Sequence, residues 1–167
     1  MVSHGGLAAE RAARVITVDR RSVAAPLERV FAAAADVERW PEWLPHYRWV
    51  RFLERNASGG LVEMAAWRPF GPFNYPTWWV SEMVIERAVP RIRYRHVRGI
   101  TRGMDVAWTF STAAGRVEVA ITHTWDGPAW PLIGPAAADL VIGPVFIHGV
   151  ASRTLAGIAR RAEGRDQ

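Results

Sequence analysis

The groups through which this chain can do chemistry are imidazoles, phenols, carboxylates, guanidinium groups and hydroxyls, because cysteine and lysine are both absent. That removes thiol nucleophiles, iron–sulfur clusters, cysteinyl zinc sites, Schiff bases and a phosphate-loop lysine together. His46, His96, His123 and His148 fall on separate predicted elements without metal-ligand spacing, and no His-Glu-x-x-His run is present. No metal and no cofactor is expected. The sequence also lacks a Gly-x-Ser-x-Gly elbow, a glycine-rich phosphate loop and a dinucleotide fingerprint. Acid–base chemistry by imidazole remains, since its proton exchanges near neutral pH. His123 stands in an apolar row, where it reads equally as a satisfied core residue or as a functional one.

The elements that must position these groups follow from periodicity. Val15, Thr17 and Asp19 alternate with Ile16, Val18 and Arg20 in a first strand that stops at Ala24-Ala25-Pro26. Leu27, Val30, Phe31 and Ala34 recur at helical spacing and predict a helix over about 26–35, with Pro26 at its start. Asp36 reads as the cap of a second short helix carrying Trp40 and Trp43. Six strand-like runs follow, near 47–54, 61–68, 77–87, 91–98, 104–112 and 116–125. Residues 144–163 return to helical spacing, with Ile147, Ala151, Leu155, Ile158 and Ala162 on one stripe. Residues 129–151 are largely apolar, but Pro131, Pro135 and Pro144 with Gly134 and Gly143 interrupt them, so a buried lead-in to the last helix is expected rather than a membrane span.

This order predicts an α+β fold in which a curved antiparallel sheet wraps the long C-terminal helix. One domain over residues 1–167 is expected, with 1–13 and 164–167 flexible. One helix does not fill a concave sheet, so a cavity for an apolar ligand is expected between them. Alternation points Val117, Val119, Ile121, His123 and Trp125 inward, with Met104, Val106, Trp108 and Phe110. Thr77, Trp79, Ser81, Met83 and Ile85 form the inner set of the long strand, because Glu82 and Glu86 mark the other set as outer. Ile92, Tyr94 and His96 face inward on the same logic. Trp40, Trp79, Ser81, Met83, Tyr94, Trp108 and Trp125 are the candidate ligand-facing residues.

The formal charge of +5 would suit an acidic partner. Arg91, Arg93, Arg95 and Arg98 form a positive stripe on the convex face, read as solvated or as a docking strip. Nucleic acid is not expected, since no binding motif accompanies the arginines and the aromatics are expected in the interior. Residues 1–14 lack an apolar signal region, which points to the cytoplasm.

Val23-Ala24-Ala25-Pro26-Leu27-Glu28-Arg29-Val30-Phe31, continued by Asp36-Val37-Glu38-Arg39-Trp40-Pro41-Glu42, resembles the opening of the polyketide cyclase/aromatase branch of the START-like, or helix-grip, superfamily. Trp79-Val80-Ser81-Glu82, Met104 to Trp108, Thr122-His123-Thr124-Trp125 and the C-terminal helix resemble its later landmarks in the same order. The resemblance implies a poly-β-ketone ligand, aldol cyclisation with dehydration, and an acidic acyl carrier protein as partner. It makes Trp40 a pocket aromatic, Tyr47 an acid/base or hydrogen-bond donor, and His123 a catalytic-site histidine. It also marks a departure. The arginine that such enzymes place four residues after the strand tryptophan is Met83 here, with Arg68 as a substitute charge if Trp67 does not take the inner face. A cyclase/dehydrase, a non-catalytic carrier or sensor of a lipid, isoprenoid or aromatic ligand, and an interaction protein with an incidental cavity are the three readings left open.

Overall fold

A computed structural model describes residues 14–70, 72–126 and 144–165. The expected flexible N-terminus and the apolar lead-in before residue 144 lie outside the described residues. Strand β1 (Val15–Val23) is followed by helix α1 (Leu27–Ala35), a 3-10 turn (Val37–Arg39) and the short helix α2 (Trp40–Trp43). Six strands succeed one another: β2 (Tyr47–Asn56), β3 (Gly59–Phe70), β4 (Phe73–Glu86), β5 (Arg91–Gly99), β6 (Asp105–Ala113) and β7 (Arg116–Trp125). Helix α3 (Pro144–Ala162) follows. The strands form one sheet in the order β1-β7-β6-β5-β4-β3-β2, antiparallel throughout.

Strand β1 stops at Val23, before the Ala24-Ala25-Pro26 turn as expected, its ladder with β7 closing at Val23↔Val117. The β3–β4 hairpin exceeds the sequence expectation of 61–68 and 77–87 and extends to Phe70↔Phe73. Pro76 lies beyond Trp79↔Gly99, where the pairing with β5 stops, so its missing N–H interrupts no ladder on that side. Asp36 takes the expected N-cap position, ahead of the 3-10 turn, but its side chain makes no capping hydrogen bond. It stands instead 3.8 Å from the Arg39 guanidinium.

The predicted inner face holds. Ile92, Tyr94 and His96 are buried on β5, as are Val106, Trp108 and Phe110 on β6 and Val117, Val119, Ile121 and Trp125 on β7. Every member of the α3 stripe is buried against them. On β1 the carboxylate, not the aliphatic pair, goes inside: Asp19 is buried while Ile16 and Val18 are exposed. His148 of α3 explains the inversion by meeting Asp19 through Nδ1.

Trp49 and Trp67 correct the expectation that the aromatics are interior, whereas Trp78 stands in the outer set that alternation gives it on β4. Trp49, Trp67 and Trp78 lie on the convex face, each more than a third exposed. The ladder sets Trp49 and Trp78 on either side of Ala65, which is fully buried. Burial by itself would raise the Glu63 pKa, but the carboxylate accepts hydrogen bonds from Trp78, Arg51 and Trp49, and these lower it. Arg48 stacks over Trp49 and Trp67 at 4.7 and 4.6 Å from the ring centroids. The arginine stripe is largely paired, with Arg93 3.0 Å from Glu86, Arg91 3.9 Å from Glu86 and Arg95 2.6 Å from Asp105.

Candidate functional site

Helix α3 divides its work along its length. Ile147, Val150, Ala151 and Thr154 line a cavity beneath the concave sheet, whereas Leu155, Ile158, Ala159 and Ala162 enter the continuous core. The cavity has a volume of about 80 Å3, and counting its open mouth the atom-free space is about 640 Å3. The first figure is the one to set against small-molecule sites, and it accommodates only a small group, so a larger ligand must extend through the open mouth.

An aromatic wall forms one side. Trp40 is anchored by its indole N–H, which donates to Ala33 O at 3.0 Å, so α1 holds α2 in place. Its ring lies 5.1 Å from Tyr47 and 5.8 Å from Trp108, and Tyr47 lies 6.4 Å from Trp79. Tyr47 is fixed by the backbone, since Leu44 N donates to Trp40 O at 2.6 Å and Tyr47 N donates to Leu44 O at 2.9 Å. A tight connection between α2 and β2 thus sets the angle at which the phenol enters the cavity.

Polar groups sit among these rings. His123 Nδ1 is 3.4 Å from Thr17 Oγ1, across the β1–β7 ladder. His96 Nδ1 is 2.6 Å from Thr101 Oγ1, and the His96 ring stacks on Trp79 at 5.9 Å. The turn after β5 delivers Thr101 to that imidazole: Gly103 N bonds to His96 O at 2.8 Å and Met104 N to Thr101 O at 3.0 Å. On the helix side, Thr154 Oγ1 is 3.0 Å from His46 Nε2 and 3.4 Å from the Tyr47 hydroxyl. Burial dominates the titration of all these groups. It pushes His123 and His46 down to about 4 and His96 down to about 3, and it raises Tyr47 and Tyr94 above the ordinary tyrosine value. At neutral pH the imidazoles are uncharged and the phenols keep their protons.

Trp40, Tyr47, Trp79, Tyr94, Trp108 and His123 therefore meet in one cavity. His123 and Tyr47 share it without a hydrogen bond to each other. Ser81, Met83 and Trp125 are buried but are not among the described lining residues. Met83 lies four residues along β4 from Trp79, within the core cluster, and Trp125 turns its indole N–H to Arg102 O at 3.1 Å. Trp43 packs outside, under the guanidinium of Arg161 at 5.9 Å. Alternation settles the contest at the end of β3, where Arg68 is buried and Trp67 is exposed. Desolvation lowers Arg68 to about 10, which leaves it cationic, and it too is not among the described lining residues. Thr101 and Thr154 were not legible as site residues, and His46, which partners Thr154, is not among the described lining residues. Thr101 arrives through an irregular turn, and Thr154 is a polar interruption beside an otherwise apolar helix stripe.

A sheet gripping its C-terminal helix over an aromatic cavity defines a START-like, helix-grip protein. Residues 23–142 match the family described as polyketide cyclase/dehydrase and lipid transport, and the chain belongs to that family. A candidate polyketide cyclase of Streptomyces halstedii is 33% identical over 89 residues, which are 53% of this chain and 80% of that protein. A protein of Thermus thermophilus shares the fold with a TM-score of 0.75 at 20% identity, over 93% of this chain and all of that one. The Zhui aromatase/cyclase of Streptomyces sp. R1128 superposes with a TM-score of 0.66 at 21% identity, over 92% and 94% of the two chains. A START superfamily protein of Mycobacterium smegmatis gives 0.62 at 17% identity, over 90% and 96%.

Proposed function

We propose that this protein takes a bulky aromatic or polyketide-like ligand into the cavity under α3 and promotes its cyclisation and dehydration by acid–base chemistry. The observation that carries the reading is the convergence of uncharged imidazoles and protonated phenols on one aromatic cavity in a polyketide cyclase/dehydrase family member. His123 takes the proton from a carbon between two ketones, and Tyr47 donates a hydrogen bond to the ketone oxygen on which the enolate charge develops. The enolate carbon then attacks a second ketone of the same chain. His123 returns that proton to the new alkoxide, giving the aldol, then takes the remaining proton from the same carbon and passes it to the hydroxyl, which leaves as water as the carbon–carbon double bond forms. Thr17 holds the His123 ring from the far side. An imidazole pushed down to about 4 is a permanent acceptor at neutral pH but a weak base, so the donor opposite it must carry part of the barrier. An acidic carrier protein would present the chain at the cavity mouth.

One observation favours a second reading. No Asp, Glu, Arg or Lys is among the described lining residues, which suits a non-catalytic carrier or sensor of a lipid, isoprenoid or aromatic ligand. The product profile of a reconstituted minimal polyketide synthase separates the two. Wild type is expected to redirect spontaneous ring closure, with His123→Ala reducing the redirected fraction by about 100-fold and Tyr47→Phe by about tenfold. If wild type shifts the profile and both variants shift it equally, the two residues are cavity walls. If wild type leaves the profile unchanged while still binding aromatic ligands, the carrier reading holds.

A further inference from the structure

Tyr94 takes no part in the proton transfers above, yet its position demands a partner. It projects from the middle of β5, is 6% exposed and lines the cavity. Its hydroxyl has no hydrogen-bond partner among the described residues. A buried hydroxyl left unbonded costs about 1–3 kcal/mol, so a donor in this position faces an acceptor that the protein itself does not supply. Tyr47 lines the same cavity.

We propose that the Tyr94 hydroxyl, in the cavity it shares with Tyr47, seats a carbonyl oxygen of the ligand, so that the cavity selects neutral ketones over hydrocarbons of the same shape and over carboxylates. The inference deepens the reading of this cavity as a ligand site and rests on it. Desolvation keeps both phenols protonated, which makes each a fixed donor rather than a group that switches roles. A carboxylate brought inside would lose its hydration among neutral imidazoles, with no cationic side chain among the described lining residues to offset the loss. A neutral carbonyl loses far less on entry, and the cavity offers its ring system the aromatic lining of Trp40, Trp79 and Trp108.

The test uses 9-fluorenone, fluorene and fluorene-9-carboxylate, one ring skeleton with a ketone, a hydrogen pair or an acid. Binding is read by tryptophan quenching, and the infrared carbonyl band of bound fluorenone reports its hydrogen bonds directly. Fluorenone is expected to bind wild type about tenfold more tightly than fluorene, as one net hydrogen bond allows, with the carboxylate weakest. In Tyr94→Phe the fluorenone advantage should fall about tenfold and the carbonyl band should move back toward its frequency in hydrocarbon solvent. Unchanged fluorene affinity in that variant shows that the cavity is intact. Equal binding of fluorenone and fluorene to wild type, or a carbonyl band that Tyr94→Phe leaves in place, overturns the inference while the cavity survives as a ligand site. Failure of all three probes to bind overturns both.

Discussion

His46, His96 and His123 are carried into the fold as neutral imidazoles, and this gives stability a pH dependence that can be worked out in sign. Their native values are about 4, 3 and 4, against about 6.5 for a free side chain. Below about pH 6.5 the unfolded chain therefore binds protons that the native chain refuses. Stability is complete above that value and is lost as pH falls from there toward the native pKa values, by up to about 1.4 kcal/mol per pH unit for each imidazole. Urea unfolding at pH 7.5 and 5.5, a window in which exposed carboxylates stay ionised, should show a loss of roughly 3–4 kcal/mol. His96→Gln should remove about a third of the slope. A flat profile would mean that these rings are hydrated in solution. The same burial bears on chemistry: with His123 as base, activity should be level from pH 8 to pH 5 and fall only as pH nears 4.

Helix α3 is held close to α2 by a residue whose value lies in what it lacks. A Cβ on Gly157 would stand 2.0 Å from Leu44 Cδ2, and Leu44 is fully buried. Glycine inside a helix ordinarily costs about 1 kcal/mol relative to alanine. Gly157→Ala should nonetheless lower stability by about 1–3 kcal/mol, because Leu44 must move within a packed core. Chemical denaturation measures this, and an alanine variant as stable as wild type would show that Leu44 has room to turn. Since Leu44 closes α2, the displacement should also loosen Trp40. This contact has no signature in the sequence, where Gly157 merely interrupts a helical pattern. What was legible is what alternation and helical spacing control: the six-strand meander, the α3 stripe, and the inward direction of Trp79, Tyr94, Trp108 and His123. What was not legible depends on register and irregular backbone. The β3–β4 ladder decided that Arg68 and not Trp67 goes inside, and the turn after β5 brought Thr101 to His96. Burying Asp19 rather than Ile16 and Val18 took a partner 129 residues away, His148.

For the molecule as a whole, the formal charge of +5 is not concentrated on the β5 stripe. Arg91, Arg93 and Arg95 are engaged with Glu86 and Asp105, and no described helix is long and apolar enough to cross a membrane. What distinguishes the molecule is the space that α3 fails to fill, about 80 Å3 walled by aromatic rings with buried donors among them. The function proposed above requires the ligand to enter that space through its open mouth. Its most direct test is a calorimetric titration of 9-fluorenone into wild type and Ala151→Leu. Ala151 lines the cavity from α3 and is buried, and leucine there adds apolar volume of the cavity's own order without disfavouring the helix. Wild type should bind one molecule saturably, and Ala151→Leu should bind at least about tenfold more weakly, a change of about 1.4 kcal/mol or more, while retaining its thermal midpoint. Undiminished binding by a stably folded Ala151→Leu, or a wild-type stoichiometry well above one, would place the ligand elsewhere and contradict that requirement.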